Sequence, residues 1–200
     1  MAGGTLRGMG VYLVSVDARD WFGQEEGGHG ETASALNEEL RRRGLPPYLP
    51  AESATRARHW FEEKASPSMA GFAALCRAHL TPAEQETLLG WTVLVPVSLD
   101  RAVELPIGSA YVDETLVAGA PQVLALAERL AQPLGLPLDA IPETGGNLEM
   151  THWFLEGEAS AAAAARPGPW ADDPEAAFYV ALYLRAARYA LRHGCPMTWS

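Results

Sequence analysis

Lysine is almost missing from this chain. Lys64 is the single lysine among fifteen basic residues, set against twenty-five acidic ones, and the net charge is −10. A nucleic-acid surface needs clustered Lys and Arg to displace counterions, so this balance excludes one. An acidic total instead favours a basic protein as partner. Cysteine is equally scarce. Cys76 and Cys195 are too few for a disulfide framework, so both are expected as free thiols in a reducing cytosol. No apolar run approaches the roughly 18 residues that span a bilayer, which argues against a membrane partner. The run VYLVSV at 11–16 is short and closed by Asp17, so a signal peptide is not expected.

Several motifs are absent too. The Gly-rich stretch QEEGGHGET has neither the Lys-Ser/Thr of a P-loop nor the GxGxxG order, and Glu25 and Glu26 would repel phosphate. No GxSxG, HExxH or paired CxxC occurs, and the His-Gly-Glu at 29–31 lacks the PCxxC partner of a zinc deaminase. No complete catalytic set can be written down.

The remaining sequence describes a folded chain, with 48% hydrophobic and 20% charged residues. Residues 1–8 read as a disordered extension and 9–200 as one globular domain. VYLVSV reads as a buried strand, and WTVLVPVSL at 91–99 as a second whose Pro96 requires an edge or a strand end. Helices are expected over 32–43, through RARHWFEEK, over 68–79, and after the start signal Thr81-Pro82-Ala83-Glu84. Further helices are expected over 121–131, across 147–165 with an interruption at Gly157, and from Pro174 to His193. The last is capped by Asp173, stopped by Gly194, and apolar on nearly every side. Pro47-Tyr48-Leu49-Pro50 reads as an extended connector. The class is α+β, helix-rich with a small sheet.

One word recurs. His59-Trp60-Phe61 and His152-Trp153-Phe154 each carry Glu four residues after the His, at Glu63 and Glu156. Val14-Ser15-Val16-Asp17 similarly echoes Val97-Ser98-Leu99-Asp100, and Gly44-Leu45-Pro46 echoes Gly135-Leu136-Pro137. The shared order suggests two related β-α-α half-domains, 9–90 and 91–200, about a pseudo-twofold axis.

That pattern nominates the candidate chemistry. On helices, His59/Glu63 and His152/Glu156 would each share a face and could ligate a divalent metal, the one cofactor these residues would admit. A third carboxylate would come from Asp17, Asp20 or Asp100, of which Asp17 and Asp100 would stand at strand ends, where ligand crevices form. Asp17, Asp20, His59 and His152 are the candidate catalytic groups. The plainer reading has Trp and Phe anchoring helices while His and Glu face water. Arg185, Arg188 and Arg192 form one narrow arc on the last helix. They are expected at its ion-paired wet edge or, with Asp100, as ligand-binding groups. Without a catalytic set, the favoured function is a non-catalytic, acidic, protein-binding adaptor or inhibitor, for which Trp21 and Trp170 beside carboxylates would supply exposed aromatics. The alternative is a small hydrolase or isomerase with an Asp- and His-lined cleft.

Overall fold

The segment from Pro174 to His193 decides the architecture, because fourteen of its residues are buried and a helix of that kind must be wrapped on every side. The computed structural model describes residues 11–25, 28–50, 60–108, 113–143 and 148–200. Their elements, in chain order, are β1 (Val11–Ser15), α1 (Ala18–Phe22), α2 (Gly30–Arg42), β2 (Glu62–Ala65), α3 (Ala70–His79), α4 (Pro82–Leu89), β3 (Val93–Val95), β4 (Val103–Leu105), β5 (Thr115–Gly119), α5 (Ala120–Leu134), α6 (Glu149–Leu155), α7 (Glu158–Ala165), α8 (Pro169–Asp172), α9 (Pro174–His193) and β6 (Met197–Trp199). The class is mixed α+β, as the composition suggests.

The six strands form one sheet in the order β2-β1-β6-β3-β5-β4. β6 is antiparallel to both β1 and β3, so those two run the same way, and β5 runs parallel to β3. Alternation along the strands divides the core. Leu13, Leu94, Ala118 and Met197 face the layer of α3, α5, α6 and α9. Val93, Val95, Val103, Leu105 and Val117 face the other way, onto α1 and α2 through Trp21, Ala33, Leu36 and Leu40. Pro96 follows the last residue of β3, which lies inside the sheet, so the proline marks a strand end and not an edge.

Local signals place the helix ends. Thr81 and Glu84 complete a reciprocal capping box at α4, and the Asp173 carboxylate accepts from the Ala176 amide at the start of α9. Gly157, at φ 104°, breaks the 147–165 stretch into α6 and α7.

Two expectations are overturned. The stretch RARHWFEEK is not a helix where it is described, because residues 62–65 form β2, an edge strand paired with β1. Phe61 and Glu63 are fully buried while Glu62 and Lys64 are half-buried, a period of two that helical counting misses. The strand read over 91–99 is only Val93–Val95, so Asp100 lies five residues past its end and does not terminate it. The related half-domains are not shown. Trp60 is exposed ahead of a strand while Trp153 is buried within a helix, and Glu63 is buried while Glu156 is exposed. Residues 1–8 and His59 lie outside the described residues.

Glu63 nevertheless holds two elements together. Its carboxylate accepts from the Met150 amide at 3.0 Å, the Thr151 amide at 2.8 Å and the Thr151 hydroxyl at 2.5 Å. These are donors of the first turn of α6, which has no cap of its own. Thr151 Oγ1 in turn accepts from the Lys64 amide, and the Leu148 amide donates to the Glu62 carbonyl, so the outer edge of β2 is covered. Burial pushes the Glu63 carboxyl up against the opposing effect of those donors.

Two predictions follow from this packing. Leu184, fully buried on α9, should cost about 2–5 kcal/mol when changed to Ala, read as a lowered denaturant midpoint at unchanged m-value. A loss below about 0.5 kcal/mol would place it outside the core. For Glu63, a raised folded pKa means a contribution fully present below the ordinary glutamate value of 4.5 and lost as pH rises through the folded value. The stability of the wild type relative to Glu63→Gln should therefore shrink as pH rises from below 4.5 towards neutrality. A difference that grows with pH would mean that the three donors outweigh burial.

Candidate functional site

Between the end of α2 and the sheet, residues 45–50 form an extended strap that is fixed at two points. The Asn37 side chain clamps the backbone of Tyr48, accepting from its N–H at 2.6 Å and donating to its carbonyl at 3.1 Å. The Tyr48 hydroxyl donates to the Gly194 carbonyl at 3.0 Å, tying the strap to the end of α9. The ring packs edge-on against Trp21, with centroids 5.9 Å apart. Gly44, at φ 73°, turns the chain out of α2 into the strap.

This bracing holds open a groove of about 440 Å³. One wall is the strap, Leu45 to Leu49 with Leu40 behind it; the other is Pro96, Val97 and Ser98; the end is Leu191 and Gly194. The groove lies at the carboxyl end of β3 and the amino end of β6. Tyr48 is buried at 5% exposure, yet its neighbour Leu49 is 67% exposed, and Leu45 and Leu191 are each 37% exposed. Leu49 is therefore held in solvent by a braced backbone. The Ser98 hydroxyl accepts from the Gln122 side chain at 2.7 Å.

The candidate residues fall elsewhere. Asp17 caps α1, accepting from the Asp20 amide at 2.8 Å. Beyond it the Gly-rich loop closes on itself: the His29 amide donates to the Asp20 carbonyl, and Gly30 to Gly23. A Cβ at Gly30 would meet the Gly23 carbonyl at 2.6 Å, which explains the glycine. His29 stacks on Trp21 with centroids 6.0 Å apart; burial lowers its pKa, partly offset by Asp20. The sequence offers His29 only as part of a His-Gly-Glu that lacks its zinc partner motif, and its spacing from Asp20 gives no signal. His152 is exposed on α6, 3.9 Å from Glu156. With His59 outside the described residues, no cluster of three His, Cys, Asp or Glu suited to a metal is found among the described ones. The groove contains none of Asp17, Asp20 and His152.

The arginine arc is ion-paired. Arg185 is buried, donating to the Leu138 and Ile141 carbonyls and lying 3.6 Å from Glu143. Arg188 meets Glu128 at 2.9 Å, and Arg192 meets Glu143 at 3.5 Å. Asp100 is exposed and is not among the residues that line the groove. Trp21 and Trp170, expected as exposed aromatics, are buried at 0% and 2%. The last residues of the chain carry β6, in the middle of the sheet. Both thiols are buried and free, with burial pushing Cys76 to about 11 and Cys195 to about 12, values unsuited to a nucleophile.

Comparison with protein-family models, curated proteins and solved structures gives no match, so the geometry alone carries the functional reading. No helix among the described residues is long and apolar enough to cross a membrane.

The bracing of the strap can be tested by stability. Asn37→Ala leaves the Tyr48 N–H and carbonyl without partners and should cost about 1–3 kcal/mol, more than Tyr48→Phe at about 1 kcal/mol. Denaturant unfolding of both variants checks the order. Near-neutral Asn37→Ala would mean that the strap is not braced there.

Proposed function

We propose that this protein is a non-catalytic binding module, adaptor- or inhibitor-like, that receives an apolar segment of a partner protein in the groove beside residues 45–50. One observation carries the reading: Leu45, Leu49 and Leu191 are exposed around a groove whose backbone is already fixed. Apolar groups held in solvent by a braced frame fit a docking surface better than a core left unfinished. Pre-organisation also lowers the entropy cost of binding. The groove's lining is chiefly Leu, Pro and Val, with no acid–base pair in it. The net charge of −10 is the only support for a basic partner.

A photo-crosslinking residue at Leu49, introduced in the native cell, tests this. It should give a discrete protein adduct that Leu191→Asp abolishes and that the same residue at Leu155 does not form. Leu155 is a suitable control because it is 55% exposed outside the groove. Adducts from both positions alike, or none from Leu49, would contradict the proposal.

A second reading, a small hydrolase or isomerase, is favoured by the half-buried His29 beside Asp20 just past β1. An imidazole held neutral near a carboxylate suits proton transfer. Among the described residues the Trp21 indole N–H beneath it is buried without an acceptor, a feature that calls for a reason. On this reading Asp20→Asn removes the cellular function and leaves the Leu49 adduct unchanged.

A further inference from the structure

We propose that His29 and Trp21 form a proton-sensitive latch on the groove: the neutral imidazole covers Trp21 and keeps the strap of residues 45–50 braced, and acidification releases both. The consequence for docking rests on the reading of the groove as a docking surface; the latch itself does not. Trp21 is fully buried and touches both partners. The His29 ring stacks on it with centroids 6.0 Å apart, and the Tyr48 ring meets it edge-on at 5.9 Å. Tyr48 in turn holds the strap, through its backbone to Asn37 and through its hydroxyl to Gly194. Two ring contacts therefore separate the imidazole from the wall of the groove.

The closed arrangement is poised to open. Among the described residues the Trp21 indole N–H has no acceptor, and water would satisfy that donor once the imidazole moved away. His29 stands half-buried at the start of α2 and makes no capping bond with its side chain, so its ring can turn outward without uncapping the helix. Burial lowers the pKa of His29, and the Asp20 carboxylate offsets part of that effect. The other charges on the elements beside it are Arg19 of α1, Glu25 of the loop and Glu31 in the first turn of α2, all exposed; the strap carries none. A lowered pKa in the closed form means that the contribution of His29 is fully present above the ordinary value of 6.5 and is lost as pH falls below it. The open form, with its imidazole in water, takes the proton more readily.

Two measurements on the full-length protein test the latch. Titration of the imidazole protons by NMR gives the pKa of His29. Amide exchange at Tyr48, expressed as protection relative to an unstructured peptide at each pH, reports the strap. Protection should fall as pH drops from 6.5 through the measured pKa, by about tenfold for each unit that separates the two. Asp20→Asn removes the offsetting charge and should move the fall to lower pH. His29→Phe keeps an aromatic cover that cannot be charged and should abolish the fall. Asp20 is exposed and holds α1 and the loop through its backbone, so its variant keeps the test decisive even where His29→Phe fails to fold. Protection that stays constant while His29 titrates, or that falls equally in His29→Phe, would overturn the latch and leave the docking surface standing. A Tyr48 amide unprotected at every pH would overturn the latch and the preformed groove together.

Discussion

A helix with no side to spare for water governs this structure. α9 buries residues around its whole circumference, so the chain must supply neighbours in every direction. α5 and α3 pack along it, α6 and α8 close one end, and β3 passes beneath. The aromatic rings of Phe72, Tyr179, Tyr183, Trp91 and Trp199 continue from α3 through α9 to the last strand. Even Arg185 is drawn inside, where loop carbonyls replace water as its acceptors. The wrapping stops at the carboxyl end. There Leu191 emerges, Gly194 turns at φ 61°, and the chain drops into β6 between β1 and β3.

The groove is the consequence of that ending. The strap of residues 45–50 reaches the end of α9 through the Tyr48 hydroxyl but does not seal it, and Leu49 remains outside. A strap that only completed the core would turn such a residue inward. The same stretch separates two possible chemistries. One is the apolar groove; the other is Trp21, His29 and Asp20 beneath a self-closed loop. The groove offers apolar contact area with no acid–base pair in its lining.

Much of the fold was legible because its signals are local. α9 is bounded by Asp173 and Gly194 in the sequence as in space, and the Thr81–Glu84 box starts α4 where the residue types require it. The failures are non-local. His-Trp-Phe was read at one period in both places, yet the first word precedes a strand that exists because β1 pairs with it, burying Glu63 opposite Leu13. β6 has three residues and no pattern of its own; its neighbours on both sides define it. Trp21 and Trp170 stand beside carboxylates in sequence, yet His29 and α2 cover the first while Trp153 and α9 cover the second, contacts that no local pattern announces. Of the site, PPYLP was legible as an extended connector. That its Leu49 stands in solvent depends on an Asn37 amide eleven residues earlier and a carbonyl at Gly194, which no local pattern encodes.

The central claim is that the groove is formed before anything occupies it. Amide hydrogen exchange at Tyr48, in the free protein, tests it most directly. With the Asn37 oxygen accepting that N–H at 2.6 Å, the amide should be strongly protected and should lose that protection in Asn37→Ala. Exchange at the rate of an unstructured peptide in the wild type would mean that the strap is loose, Leu49 is exposed by disorder, and no preformed groove exists.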